Sequence, residues 1–269
     1  VLFLVVSSAP AQQQQSARAR VDASHYIIDA DINPATQTLS AQVQVQFTPL
    51  ENTSTITFEL NNALNVSRIT DAAGRQIPAS RSQGDSTVRL NFPDTLARGQ
   101  PVTLTMNYDG RLTGAEESPV YGIKFASIQK DYAFLLYPAR WFPITEYTVD
   151  RFTADLRVSV PTGYKVVASG FEEPSSDNGG KVTWKFSQKT PTFPGSIAVV
   201  QGQPVRVSTQ GVSNAVYFRE GKEVANAWGD EAGKIMGFLT SIYGVAPSAS
   251  LTLVETEAGT PSGYAAPGI

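Results

Sequence analysis

Apolar residues recur at every second position in one short run after another between Ala23 and Val207, and this period of two restricts the region to β structure. Thr38 to Phe47 shows it most plainly. Leu39, Ala41, Val43, Val45 and Phe47 fall on one face, and Ser40, Gln42, Gln44 and Gln46 on the other. Pro101 to Tyr108 repeats the pattern with Val102, Leu104, Met106 and Tyr108. The same reading predicts strands over Tyr26–Ile32, Ile56–Leu60, Val88–Phe92, Phe152–Val160, Tyr164–Ala168 and Val182–Phe186. Turn residues separate them, among them Asn33-Pro34, Asp71-Ala72-Ala73-Gly74, Asp109-Gly110, Pro161-Thr162-Gly163 and Asp177-Asn178-Gly179-Gly180. One apolar and one polar face joined by short connections imply antiparallel sheets wetted on one side, hence a β-sandwich or saddle. No useful helical period occurs before residue 220.

The pattern changes after Thr209. Val224, Trp228, Ala232, Ile235, Leu239 and Ile242 follow a helical spacing, which predicts an amphipathic helix over Glu220–Tyr243, ended by Gly244 with Pro247 beyond. Gly229, Gly233 and Gly237 recur every fourth residue on a neighbouring face. Each costs about 1 kcal/mol relative to Ala in a helix interior, so three together predict a groove into which another element packs closely. Leu251–Val254 then reads as a buried strand running into Glu255-Thr256-Glu257 and a Gly/Pro/Ser loop. A strand–helix–strand order beginning here marks the start of a second domain.

Composition narrows the chemistry. With one histidine, His25, and no cysteine, the chain has no donor set for a His-rich zinc site, a Cys site or a His/Cys nucleophile. A net charge of −3 with no Lys/Arg cluster excludes a nucleic-acid footprint. Val1 to Val6 is apolar but too short to span a bilayer, so no transmembrane segment is expected. Followed by Ala9-Pro10-Ala11 and a run of four glutamines, it reads as the end of a secretory signal, with the mature chain starting near Gln12 in the periplasm or outside the cell. Both ends of the sequence read as clipped, and the chain as the N-terminal portion of a longer protein.

Several short motifs carry no chemistry in their context. Ser127-Ile128-Gln129-Lys130 fits S-x-x-K and Ser176-Asp177-Asn178 fits S-D-N of penicillin-binding enzymes, but the first lies among β-like residues and the second in a hairpin turn. Glu116-Glu117 and Glu172-Glu173 are loop pairs, whereas Glu255 and Glu257 would share one strand face and form a candidate pair for glycoside hydrolysis. His25 reads as a surface residue beside Asp29 and Asp31. Tyr137-Pro138-Ala139-Arg140-Trp141-Phe142-Pro143, with Glu146 and Asp150-Arg151-Phe152, reads as a rigid interdomain corner in which Arg140 is a buried, paired guanidinium. Ser262 to Ile269 reads as a flexible approach to an edge strand whose backbone could pair with an extended peptide.

At these residues the chain resembles the gluzincin aminopeptidases, the aminopeptidase N family. The resemblance rests on Arg140-Trp141-Phe142-Pro143, Val160-Pro161-Thr162-Gly163, Ala168-Ser169-Gly170 and the run Thr192 to Gly202. It continues through Tyr243-Gly244-Val245-Ala246-Pro247, Leu251 to Glu255 and the segment approaching Pro267-Gly268, so it spans nearly all of residues 21–269. It implies a mainly β chain: an antiparallel β-sandwich or saddle domain followed by the beginning of an α/β thermolysin-like domain. The implied division is 1–20 as signal remnant and polar linker, 21–205 as the β domain, and 206–269 as the start of the catalytic domain. It also implies that Gly263, Tyr264, Ala265, Ala266 and Pro267 line the substrate cleft and pair with a peptide backbone. In the family the edge segment reads G-x-M-E-N; here Tyr264, Ala265 and Ala266 occupy the Met, Glu and Asn positions, so the carboxylate that holds a substrate α-amine is replaced by Ala265. The family's H-E-x-x-H zinc motif does not occur in these residues. The expectation is therefore no catalytic residue and no cofactor in this chain, with zinc, the peptide substrate and the remainder of the catalytic domain belonging to the full-length parent. The alternative is a non-catalytic extracytoplasmic β-sandwich that binds a partner or scaffolds an assembly.

Overall fold

The computed structural model describes residues 18–114, 122–145, 150–244, 250–266 and 269. The polar-out, apolar-in alternation builds a first pair of long strands, β1 (Val21–Asn33) and β2 (Thr38–Pro49), which pair antiparallel along their whole lengths. A bulge between Ala23 and His25 shifts the phase of β1, so the inward residues change from Val21 and Ala23 to Tyr26, Ile28, Ala30 and Ile32. The chain continues through β3 (Thr53–Glu59), β4 (Leu64–Asp71), β5 (Ala79–Ser82), β6 (Thr87–Leu96) and β7 (Val102–Arg111). Two short strands follow, β8 (Ala126–Ile128) and β9 (Ala133–Leu135), then β10 (Phe152–Pro161), β11 (Tyr164–Ala168), β12 (Phe171–Asp177), β13 (Lys181–Thr192) and β14 (Ile197–Gln201).

These strands form three sheets. The largest has the order β12-β13-β10-β1-β2-β7-β4; the others are β11-β14-β9-β8 and β3-β6-β5. Their apolar faces meet in one core that includes Tyr26, Phe47, Phe58, Leu90, Tyr108 and Leu156, all essentially inaccessible to solvent. The expected mainly β, antiparallel sandwich is therefore present, with a parallel exception: β10 lies parallel to β1, from His25 opposite Thr153 to Asp31 opposite Ser159. Local alternation cannot reveal this, because it fixes which face a residue takes and not which strand becomes its neighbour.

The Tyr137–Pro143 segment is a corner inside this core and not a joint between domains. Pro138–Arg140 form one turn of 3-10 helix, after which Trp141 and Phe142 are fully buried. Trp141 Nε1 donates to the Gly195 carbonyl at 2.8 Å, and its own carbonyl accepts from the Tyr108 hydroxyl at 2.9 Å. Arg140 is buried as expected, and its Nη2 bonds Glu59 Oε1 at 2.5 Å. Glu146 lies outside the described residues.

The last part contains β15 (Val205–Thr209), β16 (Val212–Tyr217), α1 (Ala225–Tyr243) and β17 (Ser250–Val254). Their sheet runs β15-β16-β17, with β17 parallel to β16, so β16–α1–β17 is the expected strand–helix–strand unit. Lys222–Val224 form a 3-10 turn ahead of α1, which shortens the helix predicted from Glu220. The glycine row is the packed face. A Cβ on Gly229 would lie 2.7 Å from Val207 Cγ2, and one on Gly233 would lie 2.7 Å from Thr209 Cβ. Only glycine lets the helix backbone come so near β15 and β16. The larger apolar side chains point elsewhere: Trp228 is 59% exposed, Ile235 51% and Phe238 63%.

Candidate functional site

A cleft of about 560 Å³ opens where the β11-β14-β9-β8 sheet meets β17, the start of α1 and the segment that follows β17. One wall is Phe134, Leu136, Ile197 and Ala198; the other carries Phe218, Trp228 and Leu253. Ser262, Gly263 and Tyr264 form part of the rim. Two of the expected substrate-binding residues thus lie at the cleft. Ala265 is exposed, and Ala266 exchanges backbone hydrogen bonds with Ile269, its N–H donating at 3.0 Å and its carbonyl accepting at 2.9 Å. Residues 263–266 lie outside the strands; Tyr264 is seated edge-on against Phe125, ring centroids 6.4 Å apart. Pro267 lies outside the described residues.

Glu255 and Glu257 do not form the expected pair on a strand face, because β17 ends at Val254. Glu255 Oε2 accepts the backbone N–H groups of Arg219 and Glu220, at 2.5 and 2.8 Å. Its carboxylate thereby fixes the turn that leads from β16 to α1. Glu257 turns towards the β domain, where it bonds Lys124 Nζ at 3.0 Å and accepts the Tyr132 hydroxyl. Burial raises the pKa of Glu257, but the Tyr132 and Lys124 bonds outweigh it and hold the carboxyl below the usual range. Tyr132 moves the opposite way: burial first, then Glu257, push its phenol up to about 12. The Arg219 guanidinium lies 3.6 Å from the centroid of the Tyr132 ring. The Lys124 N–H also donates to the Gly259 carbonyl at 2.7 Å. The two carboxylates are thus committed to separate contacts, Glu255 to the turn before α1 and Glu257 to the β domain.

The other candidates resolve as structural. Ser127 is fully buried in β8, where its Oγ accepts from Gln129 Nε2 at 2.7 Å. Ser176 and Asp177 end β12 at its hairpin. His25 is half-buried at the β1 bulge, with Nδ1 2.7 Å from Thr153 Oγ1 and Nε2 3.6 Å from Asp155. The sequence reading missed Lys124, Tyr132 and Arg219, which come from three separate segments: Lys124 and Tyr132 meet at Glu257, and Arg219 lies over the Tyr132 ring. It also missed Phe134 and Leu136, which read locally as one more strand. Among the described residues no group of three or more His, Cys, Asp or Glu could hold a metal ion, and no helix is long and apolar enough to cross a membrane. The arrangement provides an apolar binding cleft with two carboxylates in its lining, Glu220 and Glu255.

Residues 22–135 match the family model described as the Peptidase M1 N-terminal domain. No curated protein matches the chain. Among solved structures it is similar to the M1 zinc metallopeptidase of Deinococcus radiodurans, with 20% identity, a TM-score of 0.65, and coverage of 88% of this chain and 56% of that one. A mutant of that enzyme bound to a Tyr-Ser-Ala substrate matches at 19% identity and a TM-score of 0.65, covering 87% and 56%. A two-domain M1 zinc metallopeptidase mutant bound to L-arginine matches at 19% identity and a TM-score of 0.67, covering 88% and 57%. The likeness at these identities is one of fold, and the chain spans a little over half the length of the structures it matches. Over residues 22–135 the chain is similar to the N-terminal domain of the M1 zinc metallopeptidases, and it shares the fold of the solved M1 structures.

Proposed function

We propose that this chain is the N-terminal part of an exported zinc metallopeptidase of the aminopeptidase N type, and that by itself it hydrolyses nothing. The observation that carries the reading is the match to the M1 N-terminal domain at 22–135, followed by a strand–helix–strand unit whose helix leaves its apolar row exposed beside a cleft. A row of this size is characteristic of a surface that another element covers. In the full protein Gly263 to Pro267 would present backbone groups to an extended peptide, while the apolar cleft takes a side chain of that peptide. The residues of this chain do not fit a zinc site: it has one histidine, no cysteine and, among the described residues, no donor cluster. Zinc and its ligands are therefore assigned to the remainder of the protein. The apolar run at Val1–Val6 and the Ala9-Pro10-Ala11 sequence support export to the periplasm or the medium; both lie outside the described residues.

A second reading, a non-catalytic extracytoplasmic binding or scaffolding module, is favoured by Ala265, which offers no carboxylate to a substrate amine. Zinc analysis and aminoacyl-arylamide hydrolysis, run side by side on this chain and on the longest product of its gene, separate the two. The expected result is neither zinc nor turnover for the chain, and both for the longer protein. Turnover by the chain that survives repurification overturns the assignment of chemistry to the remainder. A longer protein that binds no zinc favours the second reading.

A further inference from the structure

A second cleft, of about 650 Å³, lies on the polar outer face of the β3-β6-β5 sheet, and its charge is unlike that of the chain as a whole. The strand registers set Arg89 of β6 between Thr57 of β3 and Ser80 of β5. Directly opposite residues on neighbouring strands have Cβ atoms about 4.5–5.5 Å apart, so one guanidinium sits within reach of two hydroxyls. All three residues line the cleft, together with Arg81 and Arg18.

The positive charge here is not neutralised locally. Arg18 pairs with Asp85 at 3.0 Å, and Asp85 also accepts the Thr87 hydroxyl at 2.8 Å. Among the described residues Arg89 has no carboxylate within ion-pairing distance, and Arg81 donates to the neutral carbonyls of Leu60 and Leu64. The adjacent carboxylate on β3, Glu59, is engaged by Arg140. Arg81, next to Ser80 on β5 and opposite the buried Val88, falls on the other face of the sheet, so Arg89 is the guanidinium left without a counter-charge on this outer face, in a chain whose net charge is −3. A guanidinium keeps its charge at any working pH and presents a planar fork of donors that matches the oxygens of a tetrahedral anion.

We propose that this cleft binds an oxyanion of the phosphate or sulfate ester class, held by Arg89 with the Thr57 and Ser80 hydroxyls as added donors. The site is independent of the peptidase reading, since it uses only residues of the β domain. It would give the domain a grip on phosphorylated or sulfated material, two sources that share this chemistry.

Calorimetric titration of the chain with inorganic phosphate, sulfate, glucose 6-phosphate and glucose 6-sulfate, at constant ionic strength held with chloride, tests it. Saturable binding with a Kd on the order of 1 mM is expected, weakened by about tenfold or more in Arg89→Gln. Tighter binding of the phosphates or of the sulfates identifies the source. Arg89 is exposed, so the variant should keep the parent's circular dichroism and thermal midpoint. If it does not, the Thr57→Val/Ser80→Ala double variant replaces it, with a several-fold weakening expected. No saturable binding by any of the four anions, or equal binding by parent and folded variants, overturns the proposal.

Discussion

The β domain and the segment from β15 to Ala266 solve the same packing problem in opposite ways. In the first, every long strand turns its apolar side chains into one shared core, where Trp141, Tyr26, Tyr108 and Phe47 are all but inaccessible. In the second, the helix meets its sheet through glycine backbone, and only Ala225, Gly229 and Gly233 of α1 are buried. The row Trp228, Ile235, Leu239 and Ile242 lies about 100° or more around the helix from that face and stays in solvent. A helix that approaches a sheet this closely cannot also bury its larger side chains against it. The apolar contact that ties the second region to the first is small: Val167, Ala198 and Val200 on the far face of the β11-β14-β9-β8 sheet, packed with Tyr217. The first region has closed its core, whereas the second has a covered sheet and an uncovered helix.

The largest contrast should appear between two tryptophans. Trp141→Ala removes a fully buried ring and a hydrogen bond to Gly195, and should cost the β domain about 3–5 kcal/mol, read from urea unfolding. Trp228→Ala, at a ring 59% exposed, should change stability by no more than about 0.5 kcal/mol. Comparable losses at the two positions would break the comparison, because Trp228 would then belong to a closed core.

Legibility in the sequence follows the same division. Alternation marks the core positions of β2 and β7 residue by residue, because one face of each strand is buried and the other wet. It is silent on the parallel β1–β10 pairing, which brings together residues more than a hundred positions apart, such as His25 and Thr153. The spacing of Gly229, Gly233 and Gly237 correctly signals close approach, but the apolar row beside it, the stronger pattern in the sequence, is not the face that packs. Periodicity reports that a face is apolar and says nothing of which element covers it. At the cleft, a resemblance singles out Gly263 and Tyr264, which line it, whereas the Lys124–Glu257–Tyr132 contacts depend on long-range closure and leave no local pattern.

The glycine row allows a finer test, since the three positions should not respond alike. Gly→Ala in a helix interior ordinarily gains about 1 kcal/mol. At Gly229 the new methyl would meet Val207 Cβ at 2.8 Å, and at Gly233 the Thr209 carbonyl oxygen at 3.0 Å. Neither neighbour is a free side-chain end, so Gly229→Ala and Gly233→Ala should each destabilise the second region by about 1–3 kcal/mol. At Gly237 the nearest atom is Gln210 Oε1, the tip of a flexible side chain that can swing aside. Gly237→Ala should therefore be neutral or stabilising by up to about 1 kcal/mol. Hydrogen exchange of α1 amides reads all three; a loss at Gly237 equal to that at Gly229 would mean that the helix is pressed onto the sheet along its whole length.

The smallest effect concerns the bond between the two regions and its dependence on pH. Glu257 is held below the usual carboxylate range in the folded chain, so its contribution is present above the unfolded value of about 4.3 and is lost as pH falls through the folded value. Tyr132 is raised from 10.0 to about 12, so its contribution is present below pH 10.0 and is lost as pH rises from there towards 12. The Lys124 amide, which donates to the Gly259 carbonyl, reports this junction directly. Its exchange, referenced to the Val43 amide in the middle of β2, should accelerate at both ends of the pH range and stay flat between them. Glu257→Gln cannot ionise and should weaken the junction by about 1 kcal/mol at neutral pH while abolishing the acid-side acceleration. Acid-side acceleration that survives in this variant would transfer the pH dependence to other groups and leave the Lys124 and Tyr132 contacts as packing alone.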